Sequence, residues 1–448
     1  MGKRFGTFAL ACAMFVGVSA QGSERIRKFE LALRALGIPV EKTPDFSAYP
    51  DPGTVSVAEV RSIAKYIDPS GGLRRYLFLD PDRVELYPDF YRTNGPNDRP
   101  DYEVAAGDGK SRDSADLLDR LDRVARNVRA GSRPHSLVGL RVVIDPGHIG
   151  TPFWNEKDGK FVTIKGKTVA EGELALWVAK LLANELEKLG AEVLLTRTDL
   201  VPVTPYTWET FDPAGRLADY YYKSMDDWMA KYLELPDAEL VRRLPSAPEV
   251  KKMSTTAGRI HLFLQEDMDA RAKIAERYRP DLFIDLHYDS QLTDQLQSAR
   301  DDVAVYVPGA VGANETGAKN QRADALKHLL EVRRWKQSTK AAKSMVDSLA
   351  RNLGLPLLKE GEPGTMVRVA DGVFARNIFE TKRATSGISA FFESFHYDHT
   401  REFPRLTVLD RTGTYRGKSF RYPARLDAVV TGIRDGLLAY FRDFSIED

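Results

Sequence analysis

The chain of 448 residues has one cysteine, Cys12, and it lies within the first twenty positions. No framework of disulfides can hold this protein together. Charge of one sign is lacking too, since 65 Lys and Arg stand against 64 Asp and Glu for a formal net charge of +1. That balance argues against nucleic acid as a main partner, because such binding shows as a basic patch or stripe. No apolar run reaches the roughly 20 residues of a membrane-spanning helix, and no internal repeat is present. What the chain does have is 43% hydrophobic residues, with aromatics throughout. It is therefore expected to fold around a sizeable core, as one large domain with insertions or as two domains.

The first twenty residues have the layout of an export signal. Lys3 and Arg4 supply a positive start, Phe5 to Val18 is apolar, and Val18-Ser19-Ala20 offers a small-residue cleavage site. Removing residues 1–20 takes away two positive charges and the one cysteine, which brings the formal charge from +1 to −1. An exported chain without disulfides suits a bacterial cell envelope, periplasmic or secreted, with no stable membrane insertion after cleavage.

Residues 21–137 form a polar, helix-leaning front section without a chemical signature. Ile26 to Leu36 has helical spacing and stops at Gly37. Ser56 caps a helix through Tyr66, and Ser114 opens another through Val128. Tyr76–Leu79 and Val84–Tyr87 read as two strands around Asp80-Pro81-Asp82, and Asn94 to Arg112 reads as loop.

From about residue 138 the pattern changes. Arg141–Ile144 is a buried strand that runs into Asp145-Pro146-Gly147-His148. Trp154 to Lys160 reads as a turn and Phe161 to Ile164 as a short strand. A helix starts at Val169 with an apolar face from Leu174 to Leu189 and ends at Gly190, and Ala191–Thr196 is a strand. Strand, crossover helix and strand make a parallel βαβ unit. Residues 200–266 interrupt it with an aromatic-rich segment that includes Tyr206, Trp208, Phe211 and Trp228. Such rows stack on sugars or, more often, form a small local core. A helix over 267–278 leads to a second buried strand, Asp281–Leu286, which again ends on a histidine, His287. Strand Val303–Val307, a charged helical stretch over 322–352, a strand Ile388–Phe392 ending at Glu393, and a closing helix over 424–444 complete the chain.

Open α/β sheets collect their chemistry at the carboxyl ends of strands. Two strands that each stop on a histidine, His148 and His287, suggest a metal between them. A carboxylate at Glu171 or Glu173 completes a two-histidine, one-carboxylate set, common for catalytic zinc, that leaves one position for water. Such an ion acidifies bound water and polarises a carbonyl. Glu393 is then available to take the water's proton and deliver it to a leaving amine. The same two glutamates, 171 and 173, also sit where a helix dipole favours acids.

Asp145-Pro146-Gly147-His148, Glu171, Leu195-Thr196-Arg197, Asp281-Leu282-Phe283-Ile284-Asp285-Leu286-His287 and Phe391-Phe392-Glu393 resemble, in this order, the zinc-dependent N-acetylmuramoyl-L-alanine amidases, the amidase 3 family. The resemblance covers about two-thirds of the chain, roughly residues 138–442. It implies an α/β fold with a central twisted, mostly parallel sheet flanked by helices, here with a helix-rich N-terminal extension and a helical insertion at about 200–266 in a catalytic region over 138–448. It implies one zinc ion held by His148, Glu171 and His287, with Glu173 as the alternative carboxylate and Glu393 as the catalytic glutamate. Peptidoglycan is the implied substrate, cut between N-acetylmuramic acid and the L-alanine of the stem peptide. An activator protein is a second candidate partner. Arg271 is expected to be structural.

The chain departs from the family after His148, where Ile149-Gly150-Thr151-Pro152-Phe153-Trp154 replaces a glycine-rich loop, and after His287 and Glu393. The pair His396 and His399 reads as a solvated loop near the site, and residues 200–266 as a lid, a wall-binding surface or a plug. Two other classes compete: a wall-binding scaffold on an inactive amidase fold, and another zinc amidohydrolase or carboxypeptidase.

Overall fold

The period of two in the apolar runs decides the architecture. In the computed structural model, described for residues 24, 27–38, 40, 54–87, 102–107, 112–131, 136–213, 216–217, 220–221, 228–291, 297–312, 319–378 and 386–446, those runs become the strands of one central sheet. The export segment 1–20 and most of the loop over 94–112 lie outside the described residues.

The front section contributes β1 (Thr54–Val55), helix α1 (Val57–Ile67), β2 (Leu77–Leu79), β3 (Arg83–Leu86), β4 (Tyr102–Ala106) and helix α2 (Arg112–Arg129). The Ser56 hydroxyl accepts from the Glu59 amide at 3.3 Å and fixes the start of α1. β2 and β3 form the expected strand–turn–strand. They belong, however, to a four-stranded sheet ordered β1-β4-β3-β2, so this section mixes sheet with its helices. Leu117, Leu121 and Val124 of α2 share one apolar core with the central sheet.

That sheet is built from β5 (Arg141–Pro146), β8 (Glu192–Leu195), β9 (Leu282–Asp289), β10 (Ala304–Pro308), β11 (Met366–Ala370), β12 (Val373–Arg376) and β13 (Ile388–His396), in the order β11-β12-β10-β13-β9-β5-β8. Its pairs are parallel except β11–β12 and β10–β13. Between β5 and β8 lie helix α3 (Pro152–Asp158), the antiparallel pair β6 (Phe161–Ile164) and β7 (Lys167–Ala170), and helix α4 (Glu171–Lys188). Helix α5 (Thr256–Tyr278) precedes β9. Helices α6 (Lys319–Leu330) and α7 (Val332–Leu353) follow β10. The chain then closes with the hairpin β14 (Arg411–Tyr415) and β15 (Lys418–Tyr422) and with helix α8 (Arg425–Arg442).

Several boundaries differ from expectation for local reasons. Trp154 to Lys160 is mostly helix, not turn: Thr151 caps it, Pro152 occupies the first turn, and Gly159 ends it. The β6–β7 pairing takes Val169 and Ala170 as strand, so α4 begins at Glu171. Helix α5 starts at Thr256, so the last part of the aromatic insertion forms its first turns. β13 runs past Glu393 to His396 through an irregularity in its pairing with β9. His396 is therefore a buried strand residue, 4% exposed, and not part of a solvated loop.

Helices α4, α7 and α8 cover one face of the sheet, where Val142, Ile144, Ile284, Leu286, Val305, Val307, Ala390 and Phe392 point into a continuous core. Helix α5 lies on the other face, where its Ala275 packs on Val143 and Phe283. The insertion has its own small cores. One gathers Trp208, Phe211, Leu262 and Phe263 around Ile149 and Trp154, just past His148.

Candidate metal centre

On the face that carries α5, the residues alternating with the core are Asp145 in β5, Asp285 and His287 in β9, and Phe391 and Glu393 in β13. β5 and β9 run in register, Asp145 beside Asp285, and the Gly147 amide donates to the Leu286 carbonyl at 3.0 Å. His148 therefore emerges beside His287. Its backbone is left-handed, φ 52°, a conformation that costs a non-glycine residue about 1–2 kcal/mol. The two imidazoles meet edge to face with ring centres 4.8 Å apart. Gly147 is required by this approach: a Cβ there would lie 2.2 Å from the His287 ring.

Glu171 arrives from the third direction, as the first residue of α4. Its amide donates to the Lys160 carbonyl at 3.0 Å, which ties it to the chain just after α3. Gly172 lets α4 come this close to the His148 loop, since a Cβ there would lie 2.6 Å from the Gly150 amide. Glu171 Oε1 stands 3.4 Å from His148 Nε2, 3.0 Å from His287 Nδ1, and accepts from the Tyr288 amide at 3.1 Å. Ligand atoms of His148, Glu171 and His287 all lie within 4.8 Å of one another, and they form the one such cluster among the described residues. Glu173 falls outside it, and burial raises its carboxyl.

Each histidine is held on its far side by an acid that the sequence reading had not singled out. Asp158, the last residue of α3, lies 2.7 Å from His148 Nδ1, and Asp285 Oδ1 lies 3.2 Å from His287 Nε2. Carboxylates in these positions fix ring orientation and tautomer and make the free nitrogen a better donor to a metal. Buried Arg197 ties the ligand-bearing loops together. Its guanidinium donates to the carbonyls of Pro146 at 2.9 Å, Gly147 at 2.8 Å and Gly172 at 3.1 Å. Arg271 is structural, as expected, paired with Asp145 at 2.7 Å and with Asp267 at 3.3 Å.

The electrostatics are those of a site short of positive charge. Burial would raise the Glu171 carboxyl, but His148 and His287 outweigh it and hold it at about 2. Burial would lower His287, but Asp285 and Glu171 keep it well above the ordinary histidine value. Glu171 Oε2 is buried and has no hydrogen-bond partner, a costly state for a carboxylate oxygen. Two imidazoles, an orphaned carboxylate oxygen and supporting acids fit a divalent ion such as zinc.

Glu393 pairs with His287 across the β9–β13 register, about 4.8 Å from strand to strand. Desolvation, with Asp289 and Glu171 nearby, pushes its carboxyl well above the usual range, while His287 and Lys160 pull it down. Lys160 is the cation among the carboxylates Glu171, Glu393, Asp158 and Asp289. Burial opposes its charge, and those four overcome that and raise it.

No protein-family model matches this chain, and no curated protein matches it either. Solved structures that match include the CwlD amidase from Clostridioides difficile in complex with the GerS lipoprotein, at 14% identity over 67% of this chain and 98% of that one, TM-score 0.38. Another is the catalytic domain of CwlV, an N-acetylmuramoyl-L-alanine amidase from Bacillus (Paenibacillus) polymyxa var. colistinus, at 16% identity over 67% and 97%, TM-score 0.33. A third is an N-acetylmuramoyl-L-alanine amidase from Clostridium difficile 630, at 15% identity over 68% and 98%, TM-score 0.35. At such identities and scores a likeness assigns no activity.

Proposed function

We propose that this chain is a zinc-dependent hydrolase of peptidoglycan that cleaves the amide between N-acetylmuramic acid and the L-alanine of the stem peptide. The observation that carries this reading is the convergence of His148, Glu171 and His287 within 4.8 Å, with Glu393 on the adjacent strand in register with His287. One zinc ion would be held by those three residues, and it would supply Lewis acidity toward the scissile carbonyl and toward water. Asp158 and Asp285 hold the two imidazoles in place. Glu393 takes the proton of the attacking water and delivers it to the departing alanine nitrogen, so the products are a muramoyl carboxylate and a free peptide amine. A carboxyl shifted upward by desolvation suits a group that must both accept and donate that proton near neutrality. Together with the N-terminal pattern Lys3 to Ala20, the reading puts the enzyme in the cell envelope, outside the cytoplasmic membrane, and leaves room for an activator protein.

The test is digestion of purified, dye-labelled peptidoglycan by residues 21–448 with zinc, with chelator, and with the Glu393→Ala variant. Release of stem peptides with an N-terminal alanine, abolished by chelator and by the variant, is the expected result. Binding of one zinc per chain without such release would point to a different amide. No zinc binding and no release would put the scaffold reading in front.

A further inference from the structure

Lys160 stands beside the ligand Glu171 by virtue of a strand pairing. The Glu171 amide donates to the Lys160 carbonyl at 3.0 Å, which extends the β6–β7 ladder by one pair beyond Phe161 and Ala170. Residues opposite each other in such a ladder send their side chains to the same face, with Cβ atoms about 5 Å apart. That face is the inward one, because Val162, Ile164 and Val169, at alternate positions of the same two strands, pack on the main core. Lys160 and Glu171 therefore point the same way, toward His148 and His287. The lysine is half-buried, and Glu171, Glu393, Asp158 and Asp289 all act on its charge. Among the described residues its ammonium nevertheless makes no hydrogen bond and no ion pair. Lys188 and Lys273, by contrast, are paired with Glu185 at 2.7 Å and with Asp269 at 2.6 Å. A desolvated ammonium without a direct partner is costly. Beside a reaction centre it is matched to negative charge that appears only during the reaction.

The chemistry says where that charge appears. Attack of water on the scissile carbon forms a C–O bond and moves the carbonyl π electrons onto the carbonyl oxygen. Collapse returns them and breaks the C–N bond, and the proton held by Glu393 goes to the nitrogen. Glu393 thus serves the water and the leaving nitrogen, and the carbonyl oxygen is left to groups on the opposite flank. Lys160 comes from that flank. It is tied to Glu171 through its backbone, and it lies in the field of both Asp158, behind His148, and Glu393, beside His287. The space between those two sides is where the carbonyl must sit, and a flexible four-carbon stem lets the ammonium reach into it. We propose that the Lys160 ammonium donates to the carbonyl oxygen as its negative charge develops, a second catalytic residue beside Glu393. It keeps its own proton throughout. This rests on the amidase reading above.

The test compares wild type, Lys160→Met and Lys160→Arg, each brought to one zinc per chain as checked by metal analysis. On a muramoyl tetrapeptide, Lys160→Met should lose about 10²–10³-fold in kcat with KM changed less than about threefold, and Lys160→Arg should recover part of the loss. The second readout is binding without turnover. A phosphonamidate analogue of the same substrate, anionic and tetrahedral where the amide is neutral and planar, should bind Lys160→Met more weakly than wild type by on the order of 10- to 100-fold. The uncleaved amide, measured with Glu393→Gln present in both proteins, should bind the two within about threefold of each other. Equal weakening of amide and phosphonamidate, which a counter-ion that merely shapes the loop would give, overturns the proposal. So does a loss of kcat with phosphonamidate affinity unchanged. If wild type cleaves no muramoyl amide, the amidase reading falls on its own. Calorimetry with inorganic phosphate on the zinc-loaded proteins then judges Lys160 separately: binding weakened about tenfold or more in Lys160→Met supports an anion-stabilising lysine, and equal binding overturns it.

Discussion

The two faces of the central sheet are made by the same strands and do opposite work. In β13, Phe392 points into the core beneath α7 and α8 and is fully buried, whereas its neighbour Glu393 points to the face with the metal-ligating cluster. In β9, Leu286 and His287 divide in the same way, and in β12 so do Ala375 and Arg376. At the carboxyl ends of β5, β9 and β13 the period of two sorts adhesive residues to one side and polar ones to the other, while lower on the same face Val143 and Phe283 pack under α5. The adhesive side gains by burying apolar surface, about 25 cal/mol per Å². On the reactive side, buried charges cost stability unless they are paired. Stability and chemistry should therefore be separable by mutation, one residue at a time.

The pair at the end of β13 gives the largest effects and the sharpest way to break this comparison. Glu393→Gln is expected to lower amide hydrolysis by about 10²–10⁴-fold. Because the folded protein raises this carboxyl, its charged form costs stability at neutral pH. The neutral amide should leave the melting temperature of the metal-free protein unchanged or higher. Phe392→Ala should do the reverse of this on stability, costing about 3–5 kcal/mol in thermal or denaturant unfolding. If Glu393→Gln destabilised the fold as much as Phe392→Ala does, the separation of faces would be wrong.

A smaller effect concerns the acids behind the histidines. Asp285→Asn keeps the shape of the side chain at 3.2 Å from His287 Nε2 but removes its charge. Zinc affinity, measured by competition with a chromogenic chelator, should fall by about 10–100-fold. A fall of less than about twofold would mean that Asp285 only fills space beneath the ring.

The convergence of His148, Glu171 and His287 and the position of Glu393 beside them were legible because their signals are local. Each histidine ends an apolar run, Glu171 opens an amphipathic helix, and Glu393 follows the last long apolar strand of the sheet. Their supporting acids were not. Asp285 hides inside the run that identifies β9, two residues before His287, and only the period of two puts both on one face. Asp158 sits on a helix taken for a turn, although Thr151 and Pro152 carried its start signal. The hairpin β11–β12 was passed over despite Asp371-Gly372 between its strands, and β14–β15 despite Arg416-Gly417, whose φ values of 44° and 79° make the two-residue turn. Lys160 closes a stretch that reads as a turn, and its place opposite Glu171 shows only once β6 pairs with β7.

The smallest effect lies near the end of β13, where His396 tests whether a partly buried ion pair there stabilises the fold. Its Nε2 is 3.6 Å from both Asp289 and Asp302, and its Nδ1 is 3.2 Å from the Ser298 hydroxyl. Burial would lower this histidine, yet Asp302 and Asp289 raise it; burial would raise Asp302, yet His396 and Arg300 lower it. A histidine raised on folding adds stability that is fully present below its unfolded value of 6.5 and is lost as pH rises through the higher folded value. The Asp302 contribution has the opposite sign: it is present above 3.8 and is lost as pH falls through the lowered folded value. His396→Asn should thus cost about 1 kcal/mol or less near pH 6, and progressively less as pH rises past the folded value, in unfolding titrations of the metal-free protein. A cost that did not change with pH would assign His396 to packing, and would leave the ionic share of this face to pairs such as Arg271 with Asp145.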